Sequence, residues 1–99
     1  MVKRIKELIT RRRKQILVHS VIYYVMDDNI ISDDTWLRWA RELYELQQEY
    51  PDIAATCPYS EAFAEFHPST GYDLPIYDPW AVRKAKWLIE RRNKYERNR

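Results

Sequence analysis

Tyr23, Asp33 and Trp36 have the side-chain types and the spacing that best suit ligand binding in this sequence. Tyr23 comes near the end of one predicted helix and the other two begin the next, so a turn of about six residues brings them to one end of a helical hairpin. Two aromatic rings there can hold a planar ring between them, and a cationic ring is favoured. Asp33 can accept hydrogen bonds from ribose hydroxyls, and the free amides that start the second helix can take a phosphate. The alternative is that Tyr23 and Trp36 are ordinary core residues of the hairpin.

A basic run, Arg11-Arg12-Arg13-Lys14, lies in the middle of the first predicted helix. Four consecutive residues sweep most of the way round a helix, so they cannot form one stripe. They form either a solvated collar or a phosphate-binding patch, in which Arg12 and Arg13 act with Arg38 of the second helix.

No catalytic residue stands out, and a metal site is not predicted. His19, Cys57 and His67 are scattered without the spacing of metal ligands, and no serine has a His and an Asp in a known triad motif. Four acidic residues near the turn are better explained as caps and turn formers than as a divalent-cation site: Asp27, Asp28, Asp33 and Asp34.

The composition predicts one globular domain. Of 99 residues, 45% are apolar and 32% charged, and the single glycine favours helices over a compact β fold. Cys57 is the only cysteine, which excludes an internal disulfide and suits a reducing cytoplasm. The longest apolar run, residues 21–26, is far short of a membrane span. We therefore expect a cytoplasmic protein that does not associate with membranes.

The charge is unevenly distributed along the chain. The net charge is +6 over residues 1–26, −8 over 27–65 and +4 over 66–99. A nucleic acid could bind the basic ends, but the acidic middle argues against a continuous track, so tight nucleic-acid binding is not expected.

Apolar periodicity predicts an all-α fold with main helices near 3–26, 33–50 and 79–95, and a short connecting helix at 58–66 that Ser60 caps. Asn29 is expected to take a left-handed conformation after the first helix, and Ser32 or Asp33 to cap the second. Trp39 and Leu43 are predicted to be buried between the first two helices. The predicted inward positions are Ile5, Leu8, Ile9, Ile16, Ser20 and Tyr23, then Trp36, Trp39, Leu43, Leu46 and Tyr50, then Phe63 and Phe66, then Ala81, Ala85, Leu88 and Tyr95.

In terms of organisation, residues 1–99 form one helical domain. Residues 3–53 make an antiparallel hairpin, residues 54–77 a connector with the short helix, and residues 78–99 the third main helix with a basic tail. That last helix is expected to cover an apolar face of the hairpin.

Residues 23–53 resemble the N-terminal helical hairpin, domain Ia, of the NAD-dependent bacterial DNA ligases. The order and spacing of several short runs carry this resemblance: Tyr23-Tyr24-Val25-Met26-Asp27, Ile31-Ser32-Asp33, Trp36-Leu37-Arg38, Arg41-Glu42-Leu43 and Tyr50-Pro51-Asp52-Ile53. In the ligases this domain grips the nicotinamide mononucleotide (NMN) half of NAD, while a separate domain carries out adenylation.

The resemblance implies a ligand-binding set of five residues. Tyr23 and Asp33 match the family pattern, and Trp36 replaces a tyrosine. Tyr24 stands where the pattern has a histidine, and Leu37 where it has a second aspartate.

The ligase nucleophile motif Lys-x-Asp-Gly is absent, as are zinc-finger cysteines. The resemblance therefore predicts a non-catalytic module that binds NAD, NMN or another nicotinamide or ADP-ribose-type nucleotide, as a sensor, sponge or inhibitor. Such a module would suit an accessory protein encoded by a phage or mobile element. The alternatives are docking on a ligase or another host protein, and weak nucleic-acid binding through the basic ends.

Overall fold

The computed structural model describes residues 1–69 and 73–97. Four helices are found there: α1 (Val2–Tyr24), α2 (Asp33–Glu49), α3 (Pro51–Ala54) and α4 (Pro79–Arg97). No strand occurs within the described residues, so the predicted all-α class is confirmed. Residues 70–72 and 98–99, which belong to the predicted connector and tail, lie outside the described part.

Helices α1 and α2 form an antiparallel hairpin. The Arg13 guanidinium bonds to the Gln47 side chain, while the His19 ring lies 5.7 Å from the Trp39 ring. The later residue of α1, His19, thus contacts the earlier residue of α2, Trp39. The two helices are therefore antiparallel, as expected for a short connection.

Helix α4 packs on α1 and runs parallel to it. Lys14 lies 5.3 Å from the Trp80 ring near the start of α4, and Asp28, just beyond α1, pairs with Arg92 near its end. Helices α2 and α4 do not meet within the described residues, so α1 is the central element, with α2 and α4 on different sides of it. Asp78 caps α4, since its carboxylate accepts the Ala81 amide at 3.0 Å.

The turn between α1 and α2 uses a different left-handed residue from the one predicted. Asp27, with φ of 51°, takes this conformation, not Asn29. The Met26 amide donates to the Val21 carbonyl at 3.2 Å and the Asp28 amide to the Ile22 carbonyl at 3.0 Å, and these two bonds close the end of the helix. Ser32, and not Asp33, caps α2 by accepting the Thr35 amide at 3.1 Å. Asp33 is thus the first residue of α2 and its carboxylate does not serve as the cap.

The predicted helix over 58–66 is wrong in position. Residues 58–65 form successive turns, and the short helix is α3, immediately after α2. Tyr59 has φ of 65°, which is incompatible with a continuous helix. In addition, side chains of α1 and α2 donate hydrogen bonds to backbone carbonyls in and next to this segment. Arg13 donates to the carbonyls of Cys57 and Pro58, and Gln47 donates to that of Phe63. Tertiary contacts have therefore overridden local propensity. Both predicted inward phenylalanines, Phe63 and Phe66, are buried.

The core is centred on α1, and the other helices each contribute fewer buried apolar side chains to it. Leu43 is fully buried as predicted, but Trp39 is only partly buried and the centre of the α2 face includes Ala40. Two predicted inward residues are instead exposed, Tyr23 by 54% and Tyr95 by 70%. Buried apolar side chains form one cluster: Ile9, Ile16, Leu17, Val18, Val21, Ile22, Ala40, Leu43, Ala54, Cys57, Phe63, Phe66, Leu74, Ala81 and Ala85.

Arg13 lies inside this core, which corrects the expectation of a solvated collar. Its side chain is 2% exposed and its guanidinium donates to Gln47 at 2.9 Å, to the Cys57 carbonyl at 3.2 Å and to the Pro58 carbonyl at 3.0 Å. The guanidinium also lies 5.9 Å from the Phe63 ring. Burial lowers the pKa of Arg13 from its ordinary value. Arg13 thus ties α1 to α2 and to the connector.

Candidate functional site

A pocket of about 270 Å³ opens at the end of the hairpin where α1 meets α2. The last turns of α1, the loop after it, the first turn of α2 and a piece of the connector surround this pocket. Its lining residues are His19, Ser20, Tyr23, Tyr24, Asn29, Ile30, Ile31, Ser32, Asp33, Trp36, Leu37, Pro68 and Ser69.

All five predicted ligand-binding residues line this one pocket: Tyr23, Tyr24, Asp33, Trp36 and Leu37. The Tyr23 and Tyr24 rings meet edge to face, with centroids 4.9 Å apart, and are 54% and 39% exposed. Trp36 and Leu37 are partly buried, and Asp33 is exposed. The structure therefore gathers an aromatic wall, an apolar wall and one carboxylate around a cavity that solvent can enter; their role in ligand binding stays a prediction.

Helix α4 holds the loop that frames the pocket. The Arg92 guanidinium donates to both carboxylate oxygens of Asp28, at 2.9 and 2.8 Å, and to the Asn29 carbonyl at 2.9 Å. These Arg92 hydrogen bonds, together with the Asn29 amide, lower the pKa of Asp28 to about 2. Because Asn29 itself lines the pocket, α4 fixes one rim of the cavity.

His19 belongs to the pocket, although sequence reasoning treated it as an isolated histidine. It lies one helical turn before Tyr23, and this i, i+4 spacing was the signal that could have placed it on the same face. Burial lowers the pKa of His19, which favours the neutral imidazole. Its Nδ1 atom is buried and has no hydrogen-bond partner within the described residues.

Pro68 and Ser69 reach the pocket from the connector, far along the chain from the hairpin. The ring of the preceding residue, His67, packs against the Tyr44 ring of α2, with centroids 5.6 Å apart. This contact holds the connector against the hairpin next to Pro68 and Ser69. No local pattern in the sequence signals that long-range contact.

The pocket is polar at one edge and carries no positive side chain within the described lining. Among the described residues that line it, Asp33 has the one carboxylate, and none is a lysine or an arginine. Of the three predicted phosphate-binding arginines, Arg13 is buried and Arg12 pairs with Glu42 at 3.0 Å. Arg38 is exposed on a surface of mixed charge with Arg41 and Glu45. None of the three arginines lines the pocket, and Arg13 is too deeply buried to contact a phosphate from solvent.

Within residues 1–69 and 73–97, no three histidine, cysteine, aspartate or glutamate residues form a group that could hold a metal ion. In the same part of the chain, no helix combines the length and the hydrophobicity that crossing a membrane requires.

The hairpin and its pocket coincide with the segment that is similar to known proteins. The family model of the DNA ligase-like, N-terminal NAD+-binding domain matches residues 2–57. The DNA ligase of Pseudothermotoga lettingae is 38% identical over 61 residues, which are 62% of this chain and 9% of the ligase. The DNA ligase of Petrotoga mobilis is 39% identical over 51 residues, 52% of this chain and 8% of the ligase. A third, from Thermosipho africanus, is 38% identical over 51 residues.

The similarity is thus limited to a small part of each ligase, and the chain spans less than a tenth of the length of these relatives. No solved structure was found to match the chain. The family model covers more than half of the chain and contains α1, α2 and α3, which build most of the pocket. The chain belongs to the family of DNA ligase-like, N-terminal NAD+-binding domains.

Proposed function

We propose that the chain is a non-catalytic binding module whose hairpin pocket takes the nicotinamide and ribose part of NMN or NAD. The observation that carries this proposal is that one cavity gathers the five positions at which the family resemblance implies nicotinamide-nucleotide contacts. The match to the ligases is confined to their N-terminal domain, and the sequence contains no Lys-x-Asp-Gly motif.

The side chains of the pocket have separate roles in this proposal. Tyr23 and Trp36 stack on the cationic nicotinamide ring, since aromatic faces attract planar cations. Asp33 accepts hydrogen bonds from the ribose hydroxyls, and its exposed carboxylate is not used as the helix cap. Its negative charge also favours the cationic ring over a neutral one.

The size of the pocket favours half of the dinucleotide over the whole. A cavity of about 270 Å³ lies just below the range of about 300–1,000 Å³ that is typical of pockets for drug-sized ligands. The rest of NAD would therefore extend into solvent.

The absence of a lysine or arginine from the described lining also limits the contribution of a phosphate. Asp33 and Asp34 begin α2 and repel an anion there. Nicotinamide riboside, which lacks the phosphate, should therefore bind no more weakly than NMN.

Two departures from the family pattern make this pocket more apolar. Leu37 replaces an aspartate and Tyr24 replaces a histidine, so contacts to the sugar and phosphate are fewer than the pattern provides. We infer that stacking supplies most of the affinity and that binding is weaker than in a complete family site. Such a module would act on the free nucleotide pool as a sensor or sponge.

Calorimetry with NMN, NAD, ADP-ribose and nicotinamide riboside at millimolar concentration tests the proposal. The nicotinamide compounds should give binding heat and ADP-ribose much less, because it lacks the cationic ring. Asp33→Ala should weaken binding about tenfold or more, since a hydrogen bond to a charged group contributes about 1.5–3 kcal/mol. Trp36→Ala should weaken it comparably.

Asp34→Ala is the matched control. It removes a carboxylate from the same turn of α2, but Asp34 is exposed and does not line the pocket, so Asp33 and both aromatic rings stay in place. Binding should therefore survive in the folded fraction. If none of the four compounds gives heat with the folded protein, the nucleotide function is wrong. The exposed apolar side chains of Tyr23, Val25 and Ile30 would then favour docking of a host protein.

A further inference from the structure

One flank of α4 carries basic and aromatic side chains together. The steps from Lys84 to Trp87, from Trp87 to Arg91, and from Arg91 to Lys94 and to Tyr95 are each three or four residues, so the five side chains lie within an arc of about 100°. We call these five residues the basic-aromatic strip. Trp87 is 45% exposed and Tyr95 70% exposed, whereas Ala81 and Ala85 on the packed face of α4 are fully buried.

The strip has a dense positive charge. Helix α4 contains seven lysine and arginine residues and two glutamates, and of these bases Arg92 is neutralised by Asp28. The Lys84 ammonium lies 4.0 Å and the Arg91 guanidinium 4.7 Å from the centre of the Trp87 ring. Both cations therefore contact the Trp87 ring, and 45% of this residue stays exposed to solvent.

We propose that the basic-aromatic strip binds a single-stranded polynucleotide. Bases stack on Trp87 and Tyr95, and Lys84, Arg91 and Lys94 contact the phosphates. Proteins that bind single strands without sequence preference combine aromatic side chains, on which nucleobases stack, with lysine and arginine side chains that contact the phosphates. The two aromatic residues are eight positions apart on the helix, a rise of about 12 Å, which is the length of roughly three to four stacked nucleotides.

A single strand fits this surface better than a duplex does. In a duplex the bases are stacked on each other, so the two aromatic side chains would have no partner and only the phosphates would be contacted. A lipid surface fits less well, because an interfacial helix inserts a broad apolar face and the apolar face of α4 is already packed on α1.

The strip is independent of the hairpin pocket. None of its residues lines that pocket, and α4 lies outside residues 2–57, which the ligase-domain model matches. The proposal therefore does not depend on nucleotide binding, and a variant of the strip can be examined without changing the pocket.

Fluorescence anisotropy with labelled twelve-nucleotide oligo(dT), oligo(rU) and a duplex of equal length tests this proposal. At low salt the single strands should bind more tightly than the duplex, with the DNA and RNA probes reporting which sugar is preferred. Three phosphate contacts predict that log affinity falls with log salt with a slope of about −2. Trp87→Ala should weaken binding about fivefold or more, and Trp87→Phe should restore most of it.

The charge contribution is tested by the double variant Lys84→Gln with Arg91→Gln. It should make the salt slope shallower by about 1.4, since two phosphate contacts are lost. The matched control is Lys3→Gln with Arg11→Gln, which removes the same charge from exposed positions of α1 and should leave the slope near the wild-type value. Circular dichroism verifies that all variants are folded. No binding of either single strand, equal affinity for the duplex, or equal losses in both double variants would overturn the proposal.

Discussion

The buried guanidinium of Arg13 gives the sharpest test of how this fold is stabilised. Replacing Arg13 with Met keeps a long, flexible side chain of similar reach, so the change removes hydrogen bonds more than it creates a cavity. The Gln47 side chain and the carbonyls of Cys57 and Pro58 then lose their donor. These are the contacts that tie α1 to α2 and to the turns after α3.

The expected cost follows from opposing contributions. Hydrogen bonds from a charged donor contribute about 1.5–3 kcal/mol each, so three of them sum to about 4.5–9 kcal/mol. Removing a buried charge relieves a desolvation penalty of several kcal/mol, which offsets part of that loss. We expect a net destabilisation of about 2–4 kcal/mol. A domain of this size has a total stability of about 5–15 kcal/mol, and its melting temperature would fall by about 8–30 °C.

Urea denaturation followed by circular dichroism measures this loss directly. Arg11→Met is the matched control, because Arg11 is exposed on the same helix and its replacement should change stability by about 0.5 kcal/mol or less. Arg13→Lys keeps the charge but not the planar fork, so it should fall between the two. A loss below about 1 kcal/mol for Arg13→Met, with an unchanged m-value, would show that the hydrogen bonds and the desolvation penalty cancel and that Arg13 does not hold the connector.

Three other predictions follow from single contacts. Leu43→Ala should cost about 2–5 kcal/mol in urea denaturation, because the side chain is fully buried in the hairpin; melting at the wild-type temperature would contradict this. Since the folded state lowers the pKa of Asp28 to about 2, the contribution of its pair with Arg92 is present above the ordinary aspartate pKa and is lost as the pH falls towards 2. Asp28→Asn should flatten the dependence of melting temperature on pH in that window. Burial in the folded state also lowers the pKa of His19, so His19 of the unfolded chain takes up a proton at a higher pH than that of the folded chain. Stability should therefore fall from pH 7 to pH 5, and His19→Gln should remove this loss. His67→Gln, at an exposed residue, is the control.

The helices and the pocket could be predicted from the sequence because their determinants are local. Apolar spacing, a serine cap and an Asp-Pro start define α1, α2 and α4 to within a few residues. A short loop then forces Tyr23 and Trp36 to the same end of the hairpin, where the structure places both in one cavity. The left-handed residue was misplaced by two positions, since Asp and Asn both tolerate that conformation and the sequence does not distinguish them.

The features that could not be predicted all depend on contacts between distant segments. Arg13 looks like one of four equivalent bases in the sequence, and only the carbonyls of a connector more than 40 residues away distinguish it. The same contacts replace the predicted helix at 58–66 with turns. Pro68 and Ser69 reach the pocket by a route that no local pattern encodes.

Helix α4 connects the two surfaces for which binding is proposed. Its packed face lies on α1, its flank presents the basic-aromatic strip, and Arg92 near its end holds Asp28 and Asn29 at the rim of the pocket. The family model ends at residue 57, so this support for the loop comes from a part of the chain that the model does not match. Because the short turn after α1 contains no glycine and few buried contacts, an external clamp is the simplest physical means of ordering it. The hairpin and the connector therefore line the pocket, and α4 orders the Asn29 rim that borders the proposed ligand.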